Sequence, residues 1–141
     1  MTITPFGDAV VTTIDVRYAE TDRQGVVYHA NFLVWMEIGR TTFLTALGIP
    51  YDRLEDRGLL FSVLEARCRY PGAARYGDRV EVATRVLEVR SRTVTFAYEL
   101  SIGGRPIATG ETTLIALDGE RRPRRIPDDV RALLAHGPAA G

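Results

Sequence analysis

The chain has 141 residues, of which 45% are hydrophobic and 26% are charged, and its formal net charge is zero. The length is typical of one domain, so we expect a single domain over 1–141. Its core is expected over about 9–130, followed at 131–141 by the end of a short helix and a flexible tail. A neutral chain has no overall field to attract nucleic acid or an anionic membrane, so we expect neither as a partner. No apolar run reaches the roughly 18 residues of a membrane helix, and the start of the chain lacks signal-peptide features, which together predict a cytoplasmic protein.

The first two predicted elements are a strand and a long buried helix. The strand covers Ala9–Ala19, which is rich in β-branched residues with partial alternation. The helix covers Asn31–Leu47, where apolar side chains fall on most faces and the only charged residues are Glu37 and Arg40. We expect Asn31 to cap the helix and the two charged residues, spaced i,i+3, to pair along it. Such a helix has to be covered on nearly all sides.

Four further segments are patterned like strands, with period-two alternation or enrichment in β-branched residues. They follow a short helical turn at 50–58, and they span 59–70, 78–90, 93–102 and 105–117. Short turns join them, among them a two-residue hairpin at Gly103–Gly104, so consecutive strands are expected to be antiparallel neighbours. A last short helix is predicted over 126–135.

This order of elements predicts an α+β fold in which a curved antiparallel sheet wraps around the long helix. Only part of the sheet can cover one helix, so a sheet face or edge is left exposed. Such an edge favours a dimer in which the sheet continues from one copy to the next.

The segment Thr21–Phe32 places polar and turn-forming residues directly before the buried helix. Asp22 and Gly25 occupy the first and last positions of a typical β-turn, which is a purely structural explanation. A functional explanation stands beside it, because the free N–H groups and the dipole at a helix start can polarise a carbonyl. Asp22 lies close enough to that point to serve as a base or a nucleophile. Tyr28 and His29 add polar groups at the same place.

The stretch YAETDRQGVVYHANFLVWMEIGR strongly resembles the hotdog-fold acyl-CoA thioesterases of the 4-hydroxybenzoyl-CoA thioesterase type, and the resemblance extends over about Val11–Val130. The family motif corresponds here to Thr21, Asp22, Gly25, Val26, Val27, Tyr28, His29, Asn31 and Phe32. The resemblance implies a hotdog fold and hydrolysis of an acyl-CoA or, alternatively, of an acyl carrier protein thioester. It also implies a homodimer or homotetramer with active sites at the dimer interface.

Residue by residue, the resemblance implies that Asp22 is the catalytic carboxylate, either as a nucleophile or as a general base for water. It implies that the backbone N–H of His29 donates to the thioester carbonyl. The His29 side chain and Tyr18, predicted on the first strand, are expected to orient the substrate or the water. Positioning of the substrate and the oxyanion is assigned to Gly25, Val27 and Tyr28. No metal or cofactor is expected, because a thioester has little resonance stabilisation and its thiolate leaves readily.

Several other residues have competing interpretations. Arg90 and Arg92 flank a strand-to-strand turn, where the family often presents basic residues to coenzyme A phosphates; a solvated hairpin turn is an equal alternative. Glu20 alternates with Asp22 along an extended segment, so we expect its side chain to face the other way, toward solvent or an interface. Cys68, the lone cysteine, is expected to be an inert, partly buried thiol.

Two other functions are compatible with the same fold. A dehydratase or hydratase needs acid and base residues at the acyl β-carbon, and no clear set follows His29. A non-catalytic acyl-binding domain has no need of the Asp22 carboxylate. The acyl group itself stays open between short, long and aromatic chains. The side chains that could close the end of its pocket are Trp35, Phe61, Leu64 and Tyr70.

Overall fold

The structure is a computed structural model that describes residues 9–137. The predicted flexible tail, at 138–141, lies outside the described residues. The elements in chain order are β1 (Val10–Asp15), a 3₁₀ turn (Tyr18–Glu20), α1 (Ala30–Ala46), α2 (Tyr51–Asp56), β2 (Leu60–Arg69), β3 (Arg79–Val89), β4 (Thr93–Ile102), β5 (Arg105–Leu117) and α3 (Asp128–His136). None of the helices in 9–137 is long and apolar enough to cross a membrane.

The five strands form one antiparallel sheet in the order β1-β3-β4-β5-β2. Alternation along β4 sets its inner face, which carries the buried side chains Val94, Phe96, Tyr98 and Leu100. The hairpin before β5 is the predicted one, and both of its glycines, Gly103 and Gly104, have the positive φ that such a turn requires. A curved antiparallel sheet around a central helix is the hotdog arrangement, so the predicted fold is confirmed.

Helix α1 lies directly on β3. A Cβ atom on Gly39 would overlap Thr84 Oγ1 and would lie 2.9 Å from Val82 Cγ1, so glycine is what allows this close approach. The side chains of Trp35 and Met36 fill the space between the helix and the sheet and are fully buried. This contact fixes the position of the helix start relative to the ends of the strands.

Two predicted boundaries are wrong. Strand β1 ends at Asp15, and Tyr18 lies on the 3₁₀ turn rather than on the first strand. The turn forms because the Glu20 side chain accepts a hydrogen bond from the Arg17 N–H at 2.8 Å, which closes the backbone on itself. The core extends beyond 130, because Leu134 on α3 is completely buried.

Two predicted side-chain roles on α1 are also wrong. The N-cap residue is His29, while Asn31 lies inside the first turn and its side-chain amide donates to the Glu20 carbonyl at 2.9 Å. Arg40 forms no ion pair with Glu37. Its guanidinium is instead buried under the helix, where it donates to tyrosine hydroxyls.

One face of α1 stays open in the single chain. Leu33, Val34 and Ile38 are 39%, 46% and 42% exposed, so the expectation that the helix is covered on nearly all sides is wrong for one copy. The sheet covers only the side that carries Trp35 and Met36. The open face adjoins β2, which is an edge strand of the sheet.

Candidate active site

The residues before α1 form a small hairpin. Thr21 and Val27 pair in an antiparallel bridge, and the Asp22 N–H donates to the Val26 carbonyl at 2.8 Å. The turn closes when the Gly25 N–H donates to the Asp22 carbonyl at 3.0 Å, and Gly25 has a φ of 78°. The predicted Asp-x-x-Gly turn is therefore present. A side chain at Gly25 would be strained by that positive φ.

The Asp22 side chain lies at the tip of this hairpin and is exposed. Its Oδ1 accepts a hydrogen bond from the Gln24 N–H at 2.8 Å. Within 9–137 no group donates to its other oxygen. The carboxylate is thus held in one orientation by the turn while one oxygen stays open to an incoming molecule.

The chain then enters α1 with its backbone partly tied down. Val27 N–H donates to the Ala74 carbonyl at 2.8 Å, and Tyr28 N–H donates to the Glu20 carbonyl at 2.9 Å. His29 has helical φ and ψ of −56° and −29°. Its own N–H has no acceptor among the described residues, and a free N–H at the positive end of a helix dipole can donate to an oxyanion.

Glu20 anchors this junction, a role that the sequence prediction missed. It is only 5% exposed, and its Oε2 accepts a hydrogen bond from Trp35 Nε1 at 2.7 Å. The prediction that it faces solvent or an interface is wrong, because the 3₁₀ turn breaks the alternation on which that prediction rested. Burial raises the pKa of the carboxyl, but the hydrogen bonds from the Arg17 N–H and Trp35, with the Arg17 guanidinium, outweigh burial and lower the pKa overall.

Aromatic rings surround the helix start. We call this set the mouth cluster, and it consists of Tyr28, His29, Phe32 and Tyr70. The His29 ring lies 4.6 Å from that of Tyr28 and 5.9 Å from that of Tyr70, measured between centroids. Tyr70 comes directly after β2 and also packs on Phe32 at 5.4 Å. Burial, together with the neighbouring Cys68 thiol, raises the pKa of Tyr70 to about 12, so its phenol stays neutral.

Tyr18 is separate from the mouth cluster. Its ring is 76% exposed and packs edge-on against Tyr76 at 5.8 Å. Through its backbone it supports the hairpin, because the Tyr18 carbonyl accepts hydrogen bonds from the Thr21 N–H at 3.1 Å and the Thr21 hydroxyl at 2.7 Å. The structure therefore brings Tyr18 near the start of the hairpin without a ring contact to His29.

Arg90 and Arg92 lie far from the mouth cluster of their own chain. Both are exposed on the turn between β3 and β4, and the Arg90 guanidinium pairs with Glu88. Arg79, at the other end of β3, pairs with Asp15 just before the hairpin. The 11 residues of β3 span about 35 Å, so one chain cannot place both its mouth cluster and its own Arg90 turn on a single small substrate.

A cavity of about 230 Å³ opens beside α1. We call it the helix-side cavity, and it is lined by Leu33, Val34, Glu37, Arg40, Val63, Ala66 and Thr112. None of the four residues suggested from the sequence to close an acyl pocket lines it. Another cavity, of about 300 Å³, lies on the opposite face of the sheet among charged residues, and no residue of the mouth cluster contributes to it.

Among residues 9–137, no three His, Cys, Asp or Glu side chains are arranged to hold a metal ion. Cys68 is half-buried, its Sγ lies 3.8 Å from the Met36 sulfur, and burial raises the pKa of its thiol. A thiol with a raised pKa is a poor nucleophile at neutral pH. The groups at the hairpin and helix start are therefore the best equipped for chemistry.

Residues 16–134 match the family described as the thioesterase-like superfamily. The chain is 40% identical over 87 residues to YneP of Bacillus subtilis (strain 168), a match that covers 62% of this chain and only 63% of YneP. It is 32% identical over 125 residues to the acyl-CoA thioesterase YbgC of Haemophilus influenzae, covering 87% of this chain and 92% of YbgC. The solved structure of the DHNA-CoA thioesterase from Staphylococcus aureus superimposes with a TM-score of 0.80 and 32% identity, covering 83% of this chain and 80% of that one.

Proposed function

This chain belongs to the thioesterase-like superfamily, and we propose that it hydrolyses acyl-coenzyme A thioesters to a free carboxylic acid and coenzyme A. The proposal rests on two groups at one hairpin-to-helix junction. The Asp22 carboxylate is oriented by its turn and has one oxygen without a donor, and the His29 N–H has no acceptor among the described residues. One positioned carboxylate and one oxyanion donor can suffice for thioester hydrolysis. The acyl-CoA thioesterase activity named for YbgC supports the choice of substrate.

Two routes are open for Asp22. As a nucleophile, its free oxygen attacks the thioester carbonyl, the C–S bond breaks, the thiolate of coenzyme A leaves, and water hydrolyses the resulting mixed anhydride. As a general base, it takes a proton from a water molecule whose oxygen attacks the same carbonyl; the C–S bond then breaks and the thiolate of coenzyme A leaves. In both routes the carbonyl oxygen becomes negatively charged and accepts a hydrogen bond from the His29 N–H.

The neighbouring residues position these groups. The positive φ of Gly25 lets the hairpin turn, and the Val27 N–H fixes the returning strand to Ala74. The rings of Tyr28 and His29 flank the helix start, where they can orient the substrate or the attacking water. Tyr18 acts beside them through the hairpin rather than through a ring contact.

We further propose that the working unit is a homodimer, or a homotetramer of two dimers, joined along the β2 edge. Val63 and Leu64 on that edge are 48% and 59% exposed, and the open face of α1 lies next to it. If β2 of one copy pairs antiparallel with β2 of the second copy, the two sheets run in opposite directions. The turn that carries Arg90 and Arg92 in one copy then lies at the same end of the shared sheet as the mouth cluster of the other copy. The arginines of the second copy could then bind the coenzyme A phosphates.

The first experiment follows thiol release from a panel of aliphatic and aromatic acyl-CoAs, and from matching acyl carrier protein thioesters, for the wild type and for Asp22→Asn. Asparagine keeps the Oδ1 that accepts from Gln24, so the turn should survive. The expected loss of turnover is about 10²- to 10⁴-fold. The matched control is Asp56→Asn, an exposed aspartate at the end of α2, which should turn over like the wild type.

Each outcome of the panel has a meaning. The proposal is supported if the wild type hydrolyses coenzyme A thioesters and Asp22→Asn does not. If the wild type hydrolyses only carrier-protein thioesters, the substrate is an acyl carrier protein thioester instead. Equal turnover by both proteins removes Asp22 from the mechanism. Binding of acyl-CoAs without turnover by the wild type would make the protein a non-catalytic acyl-binding domain.

The dimer is tested by light scattering after size-exclusion chromatography. The wild type should have at least twice the chain mass, and Leu64→Lys should lower the mass and the activity together, because a charge on a shared edge opposes pairing. A monomeric wild type that is fully active would contradict the proposal. A cytoplasmic location stays a prediction, supported by a single cysteine that cannot form an internal disulfide.

A further inference from the structure

We infer that Phe61 of the second copy closes the acyl pocket of the first copy beside Tyr70 and limits the size of the acyl group. The inference rests on the proposed thioesterase function and on the dimer joined along the β2 edge. It is carried by two observations: the mouth cluster is open toward β2, and the alternation of side chains along β2 allows few registers for a β2–β2 contact.

The open side of the mouth cluster is the β2 side. Tyr70 follows the last residue of β2, and its ring centroid lies 5.4 Å from that of Phe32 and 5.9 Å from that of His29. Tyr70 is 42% exposed, and Cys68, two residues before it, is only half-buried. An acyl group bound at the His29 N–H therefore lies beside a ring at the β2 edge, and residues 9–137 of the same chain leave the outer side of that ring exposed.

Phe61 cannot cover that ring within its own chain. It lies at the beginning of β2, while Tyr70 follows the end of the strand, so the two residues are about 30 Å apart along it. The Phe61 side chain is half-buried and lies on the inner face of the sheet, since its register partner on β5 is the buried Ala116. The rest of its surface lies at the edge where we propose that the second copy binds.

A β-bulge divides the inner face of β2 into two sets of side chains. Phe61 and Val63 come before the bulge, which lies at Leu64, and Ala66 and Cys68 come after it. The register partners of these four residues on β5 also share the inner face, and they are Ala116, Leu114, Thr112 and Gly110. Leu64 itself is 59% exposed in the middle of the strand.

This arrangement restricts how β2 of one copy can pair with β2 of the second copy. A two-fold axis perpendicular to the sheet keeps both inner faces on the same side, so inner-face residues must stand opposite inner-face residues, and a slip of one residue would break that match. The register that pairs the whole strand places Phe61 opposite Cys68 and Val63 opposite Ala66. Leu64 then lies at the centre of the contact, and the helix-side cavity, whose lining includes Val63 and Ala66, lies within it.

In this register Phe61 of the second copy stands next to the mouth cluster. Directly opposite residues of an antiparallel pair have Cβ atoms about 5 Å apart, and diagonal neighbours are about 7–8 Å apart, a distance that aromatic side chains can span. Phe61 of the second copy is directly opposite Cys68 and diagonal to Tyr70. Its ring therefore lies beside the ring of Tyr70 and bounds the space into which an acyl group extends from the His29 N–H.

The contact is tested by disulfide trapping, which does not depend on turnover. Phe61→Cys should form a covalent dimer through the native Cys68 when it is oxidised with diamide, because opposite residues of a strand pair are close enough for a disulfide. Phe61→Cys/Cys68→Ala should not be trapped, since its two new thiols are about 23 Å apart along the strands. Ser62→Cys should not be trapped either, since residue 62 lies on the outer face. Val63→Cys/Ala66→Cys/Cys68→Ala tests the same register independently, and no covalent dimer from either pair would overturn the inference.

The role in the pocket is tested by the ratio of kcat/KM between a bulky and a small acyl group. The two pairs are 2-naphthoyl-CoA with benzoyl-CoA and decanoyl-CoA with butanoyl-CoA. Phe61→Ala should raise at least one of these ratios by about tenfold or more, because loss of the ring enlarges the pocket by more than one methylene group. The matched control is Val11→Ala, an exposed apolar residue on the opposite edge strand β1, which should leave both ratios unchanged. Ratios that also stay unchanged in Phe61→Ala would overturn the inference.

A heterodimer shows from which copy the ring comes. One chain carries Asp22→Asn, the other carries Phe61→Ala, and two different tags isolate the mixed dimer. The intact Asp22 then shares its site with the intact Phe61 of the other chain, so both ratios should be those of the wild type. Ratios like those of the Phe61→Ala homodimer would overturn the inference but leave the proposed function intact. No turnover of any acyl-CoA by the wild type would refute both.

Discussion

The hairpin before α1 has an anchored half and an open half, and a single residue separates the two carboxylates that belong to them. Glu20, in the anchored half, is buried and accepts hydrogen bonds on both oxygens, from Trp35 and from Arg17. Asp22, in the open half, is exposed and uses one oxygen to hold its own turn. Similar chemical groups therefore have opposite environments within a few ångströms of chain.

The difference shows how an exposed turn can hold a carboxylate in one orientation. The Glu20 side chain ties the hairpin to the core through Trp35, and the Glu20 carbonyl holds both the Tyr28 N–H and the Asn31 side chain. Those contacts fix where the helix begins, and with it the direction of the His29 N–H. We therefore expect changes in the anchored half to lower stability first and changes in the open half to lower activity first.

After Asp22→Asn, the largest effect on turnover is expected from removing the backbone N–H that we propose as the oxyanion donor. His29 already has a φ of −56°, which proline adopts, so His29→Pro removes the N–H with little change of backbone. Relative to His29→Ala, which removes only the side chain, kcat/KM should fall by about 10²- to 10³-fold. Equal rates for the two variants, with both folded by circular dichroism, would exclude this N–H as the donor.

The next effect is expected at Glu20. In Glu20→Gln an amide NH₂ replaces one acceptor oxygen, so it must face the N–H of either Trp35 or Arg17, and stability should fall by about 1–3 kcal/mol. Adding Trp35→Phe removes one of those donors, so the double variant should lose less than the sum of the single losses. Urea unfolding of the four proteins measures this coupling. Strictly additive losses would mean that the Glu20–Trp35 contact does not hold the hairpin.

The same contact predicts a dependence on pH. Because the pKa of Glu20 is lowered in the folded protein, its contribution to stability is present above the unfolded carboxyl pKa of about 4.3 and is lost as the pH falls through the folded value. The difference in unfolding free energy between the wild type and Glu20→Gln should thus be full at neutral pH and shrink in acid. A difference that stays constant as far as the acid unfolding of the wild type would contradict the assignment.

The smallest effect should come from the exposed arginines. Arg90→Ala and Arg92→Ala should each raise KM for acyl-CoAs by about two- to fivefold with little change in kcat, because exposed ion pairs are weak. The increase should fade at high salt. Arg53→Ala is the matched control. An unchanged KM for both variants would favour the alternative that this turn is simply solvated.

Local patterns predicted the elements well, and three-dimensional contacts explain where they failed. The Asp22–Gly25 turn, the long helix and the antiparallel strands follow from spacing alone. The burial of Glu20 does not, because it depends on a 3₁₀ turn that brings its side chain under Trp35. The placement of Arg40 depends on two tyrosines that are distant in the chain, one on α2 and one on β4.

The candidate site was predictable to a similar extent. The motif pointed to Asp22 and His29, and the structure brings them to one hairpin-to-helix junction. The distance of Arg90 and Arg92 from that junction could not be anticipated, since it follows from the direction in which β3 runs. The open face of α1 was hidden because its apolar residues look like core residues in the sequence.

The most direct test of this account measures turnover and unfolding together for two variants, Asp22→Asn and Glu20→Gln. We predict that Asp22→Asn loses about 10²-fold or more of the turnover while keeping the wild-type urea midpoint, and that Glu20→Gln lowers the midpoint while losing less turnover. A loss of activity alone in one variant and a loss mainly of stability in the other would establish Asp22 as the catalytic carboxylate and Glu20 as the carboxylate that anchors it. If Asp22→Asn kept its turnover, or lost it only together with its stability, the central claim would be contradicted.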